Sequence, residues 1–232
     1  MIIQQAPERA RDPGAAPTID PERRRADMVE HDLRARGLVD ERVLAAMAAV
    51  PREHFVPPID RDEAYADHPL PIGAGQTISQ PYVVAATLEL ARPQPGDRLL
   101  DVGTGSGYAA AVASLVVAEV VSVERIPELA ADAAARLARL GYDNVVVRTG
   151  DGSLGSPQDA PFDVIVCAAA GPRIPESWKA QLRDGGRIVA PVGSRTSQQL
   201  VRVTRRGARF DEEALLGVLY VPLIGAEGFP EP

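Results

Sequence analysis

The chain has one cysteine, Cys167, among 232 residues, so no intrachain disulfide can form and a reducing compartment is expected. It lacks an apolar run of membrane-spanning length and a basic-then-apolar leader, which points to a cytoplasmic protein with no membrane partner. Positive charge is in the minority, with 25 Lys and Arg against 32 Asp and Glu, a formal net charge of −7. That balance argues against a general affinity for nucleic acid. The three histidines, His31, His54 and His68, are scattered, so no metal site is expected from them. No internal repeat or low-complexity tract is present. What is there, 45% hydrophobic and 25% charged residues, suffices for the core of one sizeable domain with a modest addition.

Residues 1–19 mix Pro, Gly, Ala and both charge signs without a hydrophobic period, and read as a disordered extension. Asp20-Pro21 then signals a helix start, an N-cap followed by proline at the first helical position. Ala26, Val29 and Leu33 recur at helical spacing, Arg23-Arg24-Arg25 reads as a solvated face, and Gly37 closes the segment. Asp40 caps a second short helix through Val43, Leu44 and Met47, stopped by Pro51. Residues 51–80 are rich in Pro and Gly and do not read as regular structure; so long a loop in a compact chain is functional or disordered.

From Pro81 to about Ala91 a helix is expected, and after it a regular alternation begins. Strands are expected at 98–102, 119–123, 144–148, 162–167 and 187–192, with helices at 106–116, 127–140 and 175–182 between them. Cys167 and Trp178 read as packing residues. Two further strands near 199–204 and 213–221 have no helical crossover, so an antiparallel pair should end the sheet. The fold class is α/β: a doubly wound, seven-stranded, mostly parallel sheet with an N-terminal helical addition. The boundaries follow, with the addition over 20–80, the main domain over 81–225 and a tail over 226–232.

The sharpest local signal is Leu99-Leu100-Asp101-Val102-Gly103-Thr104-Gly105-Ser106-Gly107-Tyr108, a buried strand running into a glycine-rich turn that opens a helix. Glycines let the backbone approach a ligand, and a helix N-terminus offers unpaired N–H groups. A P-loop would need Gly-Lys-Ser/Thr, and no lysine is here; a dinucleotide turn would place glycine where Tyr108 stands. Asp101, two residues before the first glycine, suits a cationic ligand better than a pyrophosphate. S-adenosylmethionine carries both an ammonium and a sulfonium. The second strand ends in Glu124, 17 residues after Gly107, where an acid can accept from both ribose hydroxyls. Gly150-Asp151-Gly152 brings another carboxylate to the same sheet edge, where it could accept from an adenine amino group. Each alone has a plainer reading, as a tight connection, a solvated strand end or an ordinary turn. In this order on one α/β frame, they read together as the site of an S-adenosylmethionine-dependent methyltransferase.

Upstream lies Pro69-Leu70-Pro71-Ile72-Gly73-Ala74-Gly75-Gln76-Thr77-Ile78-Ser79-Gln80-Pro81. With LLDVGTGSGYAA, AVPREHFVP (49–57), GDGSLG (150–155), APFDVIV (160–166), GGRIVAPVG (185–193) and GVLYVPLIG (217–225), it closely resembles the protein-L-isoaspartate O-methyltransferases. The resemblance spans about residues 22–225, and GQTISQP is its most specific part; Ala169-Ala170-Gly171-Pro172-Arg173 departs from the pattern mildly. It implies a Rossmann-like class I methyltransferase fold with an unusual order of the last two strands. It also implies that Asp101, Gly103, Thr104, Gly105, Ser106 and Gly107 hold S-adenosylmethionine, with Glu124 on the ribose and Asp151-Gly152 beside the adenine. Thr77, Ile78 and Ser79 would line the isoaspartyl site, Ser79 standing at the active-site serine position, and Tyr220-Val221-Pro222 would contact the substrate backbone.

Apart from the resemblance, Pro81 begins a helix, so residues 79–83 should present free N–H groups, and Ser79 adds a hydroxyl donor: a place for a carboxylate, or merely a helix cap. A carboxylate with a pKa of about 4 is ionised at neutral pH, so methyl transfer to it needs no general base. The resemblance implies isoaspartyl peptides and proteins as partners, a methyl ester that closes to a succinimide, and no nucleic-acid or membrane partner; a monomer is expected. Two alternatives stay open: an enzyme that esterifies aspartates of one dedicated precursor peptide to form an aspartimide, and a non-catalytic cofactor-binding module. The chain's stopping soon after GVLYVPLIG favours general repair over the first.

Overall fold

The computed structural model describes residues 20–231, and the amino-terminal segment 1–19 lies outside the described residues. Helix α1 (Pro21–Asp27) starts where Asp20 accepts the Glu22 N–H at 3.1 Å. At Met28 it widens into a π turn through Leu33, tightens to a 3-10 turn (Arg34–Arg36) and ends at Gly37, whose φ is +94°. The change of pitch moves the buried stripe: Met28, Val29 and Leu33 face inward, and Ala26, expected with them, is exposed. Nor are all three arginines solvated. Arg24 and Arg25 are half-buried, and Arg25 donates to the Tyr65 hydroxyl at 3.1 Å. Helix α2 (Glu41–Ala49) has its first amides capped by Asp40.

Residues 51–80 are more ordered than their composition suggests. They hold 3-10 turns at Arg52–His54 and Pro58–Glu63 and a hairpin of β1 (Leu70–Gly73) and β2 (Gln76–Ile78). Its turn needs positive φ at three successive residues, Gly73, Ala74 and Gly75. The glycines that made the stretch look irregular are what lets it turn.

Beyond α3 (Pro81–Ala91) come β3 (Arg98–Val102), α4 (Tyr108–Ser114), β4 (Glu119–Glu124), α5 (Pro127–Arg139), β5 (Val145–Thr149), β6 (Phe162–Cys167), α6 (Glu176–Gln181), β7 (Leu182–Gly193), β8 (Gln198–Arg206) and β9 (Arg209–Val218). The sheet order is β5-β4-β3-β6-β7-β8-β9, parallel through β7 and antiparallel over the last two pairings. Chain order reverses at β3, which lies between β4 and β6. In open α/β sheets ligands bind at such a point, outside the carboxyl ends of the strands.

Successive strand residues alternate between two cores. Leu99, Val120, Val164 and Val189 face the layer of α2–α4, while Leu100, Val121, Ile165 and Ile188 face Trp178 and Leu182. The N-terminal helices share the first core without a break, through Met28, Leu33, Leu44 and Met47. At the other end, residues 226–231 are tied back: the Glu227 carboxylate accepts the Glu176 N–H at 2.6 Å at the start of α6, and Arg125 pairs with Glu231. Among the described residues no helix is long and apolar enough to cross a membrane. Because the core is shared, Leu44→Ala should lower the stability of the whole chain by about 2–5 kcal/mol in one transition. Chemical denaturation followed by circular dichroism checks this, and a separate early transition would mark the N-terminal layer as an independent unit.

Candidate active site and cofactor pocket

The register of the central strands assembles the site. Asp101 on β3 lies opposite Ser122 on β4 and Val166 on β6, and Val102 lies between Val123 and Cys167. The ends of these strands therefore bring Asp101, Glu124 and Cys167 to one edge. The loop after β3 turns there with Gly103, Gly105 and Gly107 all at positive φ.

Two buried carboxylates organise this edge by different means. The Ser122 hydroxyl donates to Asp101 Oδ2 at 2.7 Å and is itself 2.6 Å from the Thr104 hydroxyl, so a short chain of hydroxyls feeds the acid. Burial pushes the Asp101 carboxyl up from its ordinary 3.8 to about 6, against the pull of the Ser122 hydrogen bond, and the charge of Glu124 adds to the rise. Glu124 instead accepts backbone N–H groups, from Gly105 at 2.9 Å and Ile126 at 3.0 Å. Cys167 sits on the same floor, its Sγ donating to the Ala169 carbonyl, and burial pushes its thiol far above the usual range, which disfavours the nucleophilic thiolate.

Three connected hollows open from this edge. An inner cavity is lined by Asp101, Gly103, Thr104, Gly105, Ser106, Thr77, Ile78, Ser79 and Tyr220. An outer pocket beside it contains Glu124, Gly152, Val221 and Pro222. A larger groove on the far side of Ser79 is lined by Arg36, Tyr82, Arg195, Leu219 and Tyr220 among others. Thr77 and Ala168 border all three, and Ser79 and Tyr220 stand in the wall between inner cavity and groove. Among the described residues that line these hollows, none is a histidine.

Most of the sequence-selected residues thus come together, with three differences. Gly107 lines no hollow; it is the N-cap of α4 and packs so closely on Leu137 that a Cβ would stand 3.2 Å from its side chain. Asp151 lies one step outside the outer pocket. Its carboxylate accepts from the Ser153 N–H and hydroxyl and, at 2.7 Å, from the Ala226 N–H, so it fastens the carboxy-terminal segment while Gly152 faces the pocket. The first turn of α3 is not free either: the Tyr82 N–H donates to Asp67 at 3.0 Å and the Val83 N–H to the Gln80 carbonyl at 3.1 Å. A resident carboxylate holds the place that the sequence left for a substrate's.

Asp67 also accepts from Gln80 Nε2 at 2.6 Å and pairs with Arg36, whose guanidinium stacks 3.6 Å from the centre of the Tyr82 ring. Sequence reasoning missed both residues because they lie 31 positions apart, with no local pattern joining them. It also missed Gln198, whose side-chain amide pairs with the N–H and carbonyl of Tyr220 and fixes that residue in the groove wall.

The residues present fit S-adenosylmethionine. A buried carboxylate whose ionised form is disfavoured awaits a cation beside the inner cavity, and a second acid is aligned at the strand end nearby, in the lining of the outer pocket. The fold and this edge define an S-adenosylmethionine-dependent methyltransferase. The model of the Protein-L-isoaspartate(D-aspartate) O-methyltransferase family matches residues 23–228, and the chain belongs to that family. It is 55% identical over 207 residues to the protein-L-isoaspartate O-methyltransferase of Rhodopseudomonas palustris, covering 88% of this chain and 95% of the relative. The corresponding enzyme of Methanoregula boonei is 53% identical, with 90% and 95% covered. A solved protein-L-isoaspartate O-methyltransferase superposes with a TM-score of 0.79 at 29% identity, over 88% of this chain and 67% of that one. A Plasmodium falciparum protein of the same description, in complex with S-adenosyl-L-homocysteine, gives 0.75 at 26% identity, over 86% and 98%.

The raised pKa of Asp101 sets two expectations. In the ligand-free chain the protonated acid is favoured by folding, so stability from this group falls as pH rises from about 3.8 through about 6. A bound ammonium favours the ionised form, so affinity for S-adenosylhomocysteine should weaken as pH is lowered through about 6. Titration calorimetry at several pH values checks this, and Asp101→Asn should remove most of the dependence.

Proposed function

We propose that the protein transfers a methyl group from S-adenosylmethionine to the free carboxylate of L-isoaspartyl residues, and of D-aspartyl residues, in damaged proteins, starting their repair through a succinimide. The observation that carries this reading is the position of Ser79. Ser79 borders both the inner cavity and the groove beyond it, and its hydroxyl has no hydrogen-bond partner among the described residues.

When bound, S-adenosylmethionine supplies an electrophilic methyl on a sulfonium. Everything else in the reaction falls to side chains of this chain. Asp101 answers the cofactor's positive charge, Glu124 accepts from the ribose, and the loop Gly103, Thr104, Gly105, Ser106 and Gly107 shapes the cavity, with Asp151 and Gly152 at the adenine end. Ser79 donates to one oxygen of the substrate carboxylate and leaves the other free to attack. Thr77 and Ile78 flank it, and Tyr220, Val221 and Pro222 hold the substrate backbone. The carboxylate is already ionised, so positioning and exclusion of water carry the rate. We read the protein as a cytoplasmic monomer that acts on damaged proteins and not on nucleic acid or membranes, a reading its net charge of −7 supports.

The test is transfer of labelled methyl to two peptides identical except for isoaspartate or aspartate at one position, with base-labile ester counted. Transfer to the isoaspartyl peptide alone is expected, and Ser79→Ala should lower kcat/KM about 10- to 100-fold, the value of one hydrogen bond to a charged group. Tight cofactor binding without transfer to either peptide would overturn the repair reading.

A further inference from the structure

The two charged side chains lining the groove beyond Ser79 among the described residues are both cationic, Arg36 and Arg195, and no carboxylate lines it there. In a chain with 32 acids against 25 bases, this is unlike the surface at large. The two arginines differ in what answers their charge. Arg36 pairs with Asp67, so that charge is largely met within the protein. Arg195, on the turn between β7 and β8, makes no ion pair among the described residues. Its Nη2 donates to the Pro230 carbonyl at 2.9 Å, and its guanidinium lies 5.0 Å from the centre of the Phe229 ring.

Those two contacts hold the side chain without neutralising it. An ordered guanidinium meets an anion at a smaller entropic cost than a free one, and its remaining N–H groups are available to a carboxylate. Arg195 borders the groove but not the inner cavity, so its charge is offered to the peptide and not to the isoaspartyl carboxylate at Ser79. Between them the groove is largely uncharged, and Leu219, 67% exposed, presents an apolar surface there.

We propose that Arg195 is a specificity-determining residue that favours isoaspartyl substrates carrying an acidic side chain close to the damaged residue. This deepens the repair reading and rests on it. The carboxy-terminal segment then has a part in substrate choice, because Phe229 and Pro230 fix the arginine that reads the flank.

The experiment uses isoaspartyl peptides identical but for Glu, Gln or Lys placed in turn at each flanking position, assayed with the full chain. At one or more positions KM should rise from Glu to Gln to Lys by about two- to fivefold per step, the range of an exposed ion pair. The ratio should shrink at high salt. In Arg195→Gln the ratio between the Glu and Gln peptides should fall to about one, and Arg195→Lys should keep part of it, which separates lost charge from a misfolded turn. A ratio near one in the unaltered protein at every position, or one that survives in Arg195→Gln, overturns the inference while leaving the repair activity standing. Transfer to none of the isoaspartyl peptides overturns both.

Discussion

Two carboxylates withdrawn from water at the ends of adjacent parallel strands are the constraint on which this molecule turns. Burying an acid is costly unless its oxygens are answered, and Asp101 and Glu124 are answered differently. Asp101 receives one hydroxyl, which a second hydroxyl supports, and remains short of a positive partner. Glu124 receives two main-chain amides, one of them from the glycine loop itself. That second arrangement dictates the shape of the loop. As the Gly105 N–H points back at β4, the chain takes positive φ at Gly103, Gly105 and Gly107, and the first two of these glycines line the inner cavity.

The wall that closes this cavity comes from elsewhere in the chain. Ser79 lies between β2 and α3, and its junction is held by a network rooted in the N-terminal layer: Arg36 pairs with Asp67, which accepts from Gln80 and Tyr82. A second tie runs beneath. Arg52 is wholly buried, donates to the Ala64 carbonyl at 2.7 Å and lies 4.7 Å from the centre of the Tyr108 ring, which lines the inner cavity. The helices ahead of the sheet therefore share its core and also hold the wall of the cavity at Ser79.

The opposite wall depends on the carboxy-terminal residues. After β9 the chain recrosses the sheet edge, where the Ala170 N–H donates to the Val221 carbonyl and the Leu223 N–H to the Ala170 carbonyl. Asp151 and Glu227 then fasten the following turn from two directions. Asp151 shows how one residue type at one position can serve an end its local pattern does not reveal. Between two glycines it reads as a free acid at the ligand edge, yet in the fold Ser153 holds its Oδ1 and its Oδ2 accepts the Ala226 N–H, 75 residues later.

What the sequence determined by itself was whatever depends on near neighbours. Alternating apolar runs separated by helical periods established the α/β order, and the glycine-rich run after Val102 marked where the first of those strands turns toward a helix. Asp101 and Glu124 were legible because an acid at a strand end lands on the ligand edge of any such sheet. Pitch and partnership were not legible. The π turn at Met28 shifted a buried stripe, the glycine-rich 70–78 stretch became a hairpin, and Asp67 claimed amides that looked free. Those outcomes belong to the tertiary structure, because a hydrogen bond is decided by which group packing brings within reach, and sequence spacing limits that only inside a single element.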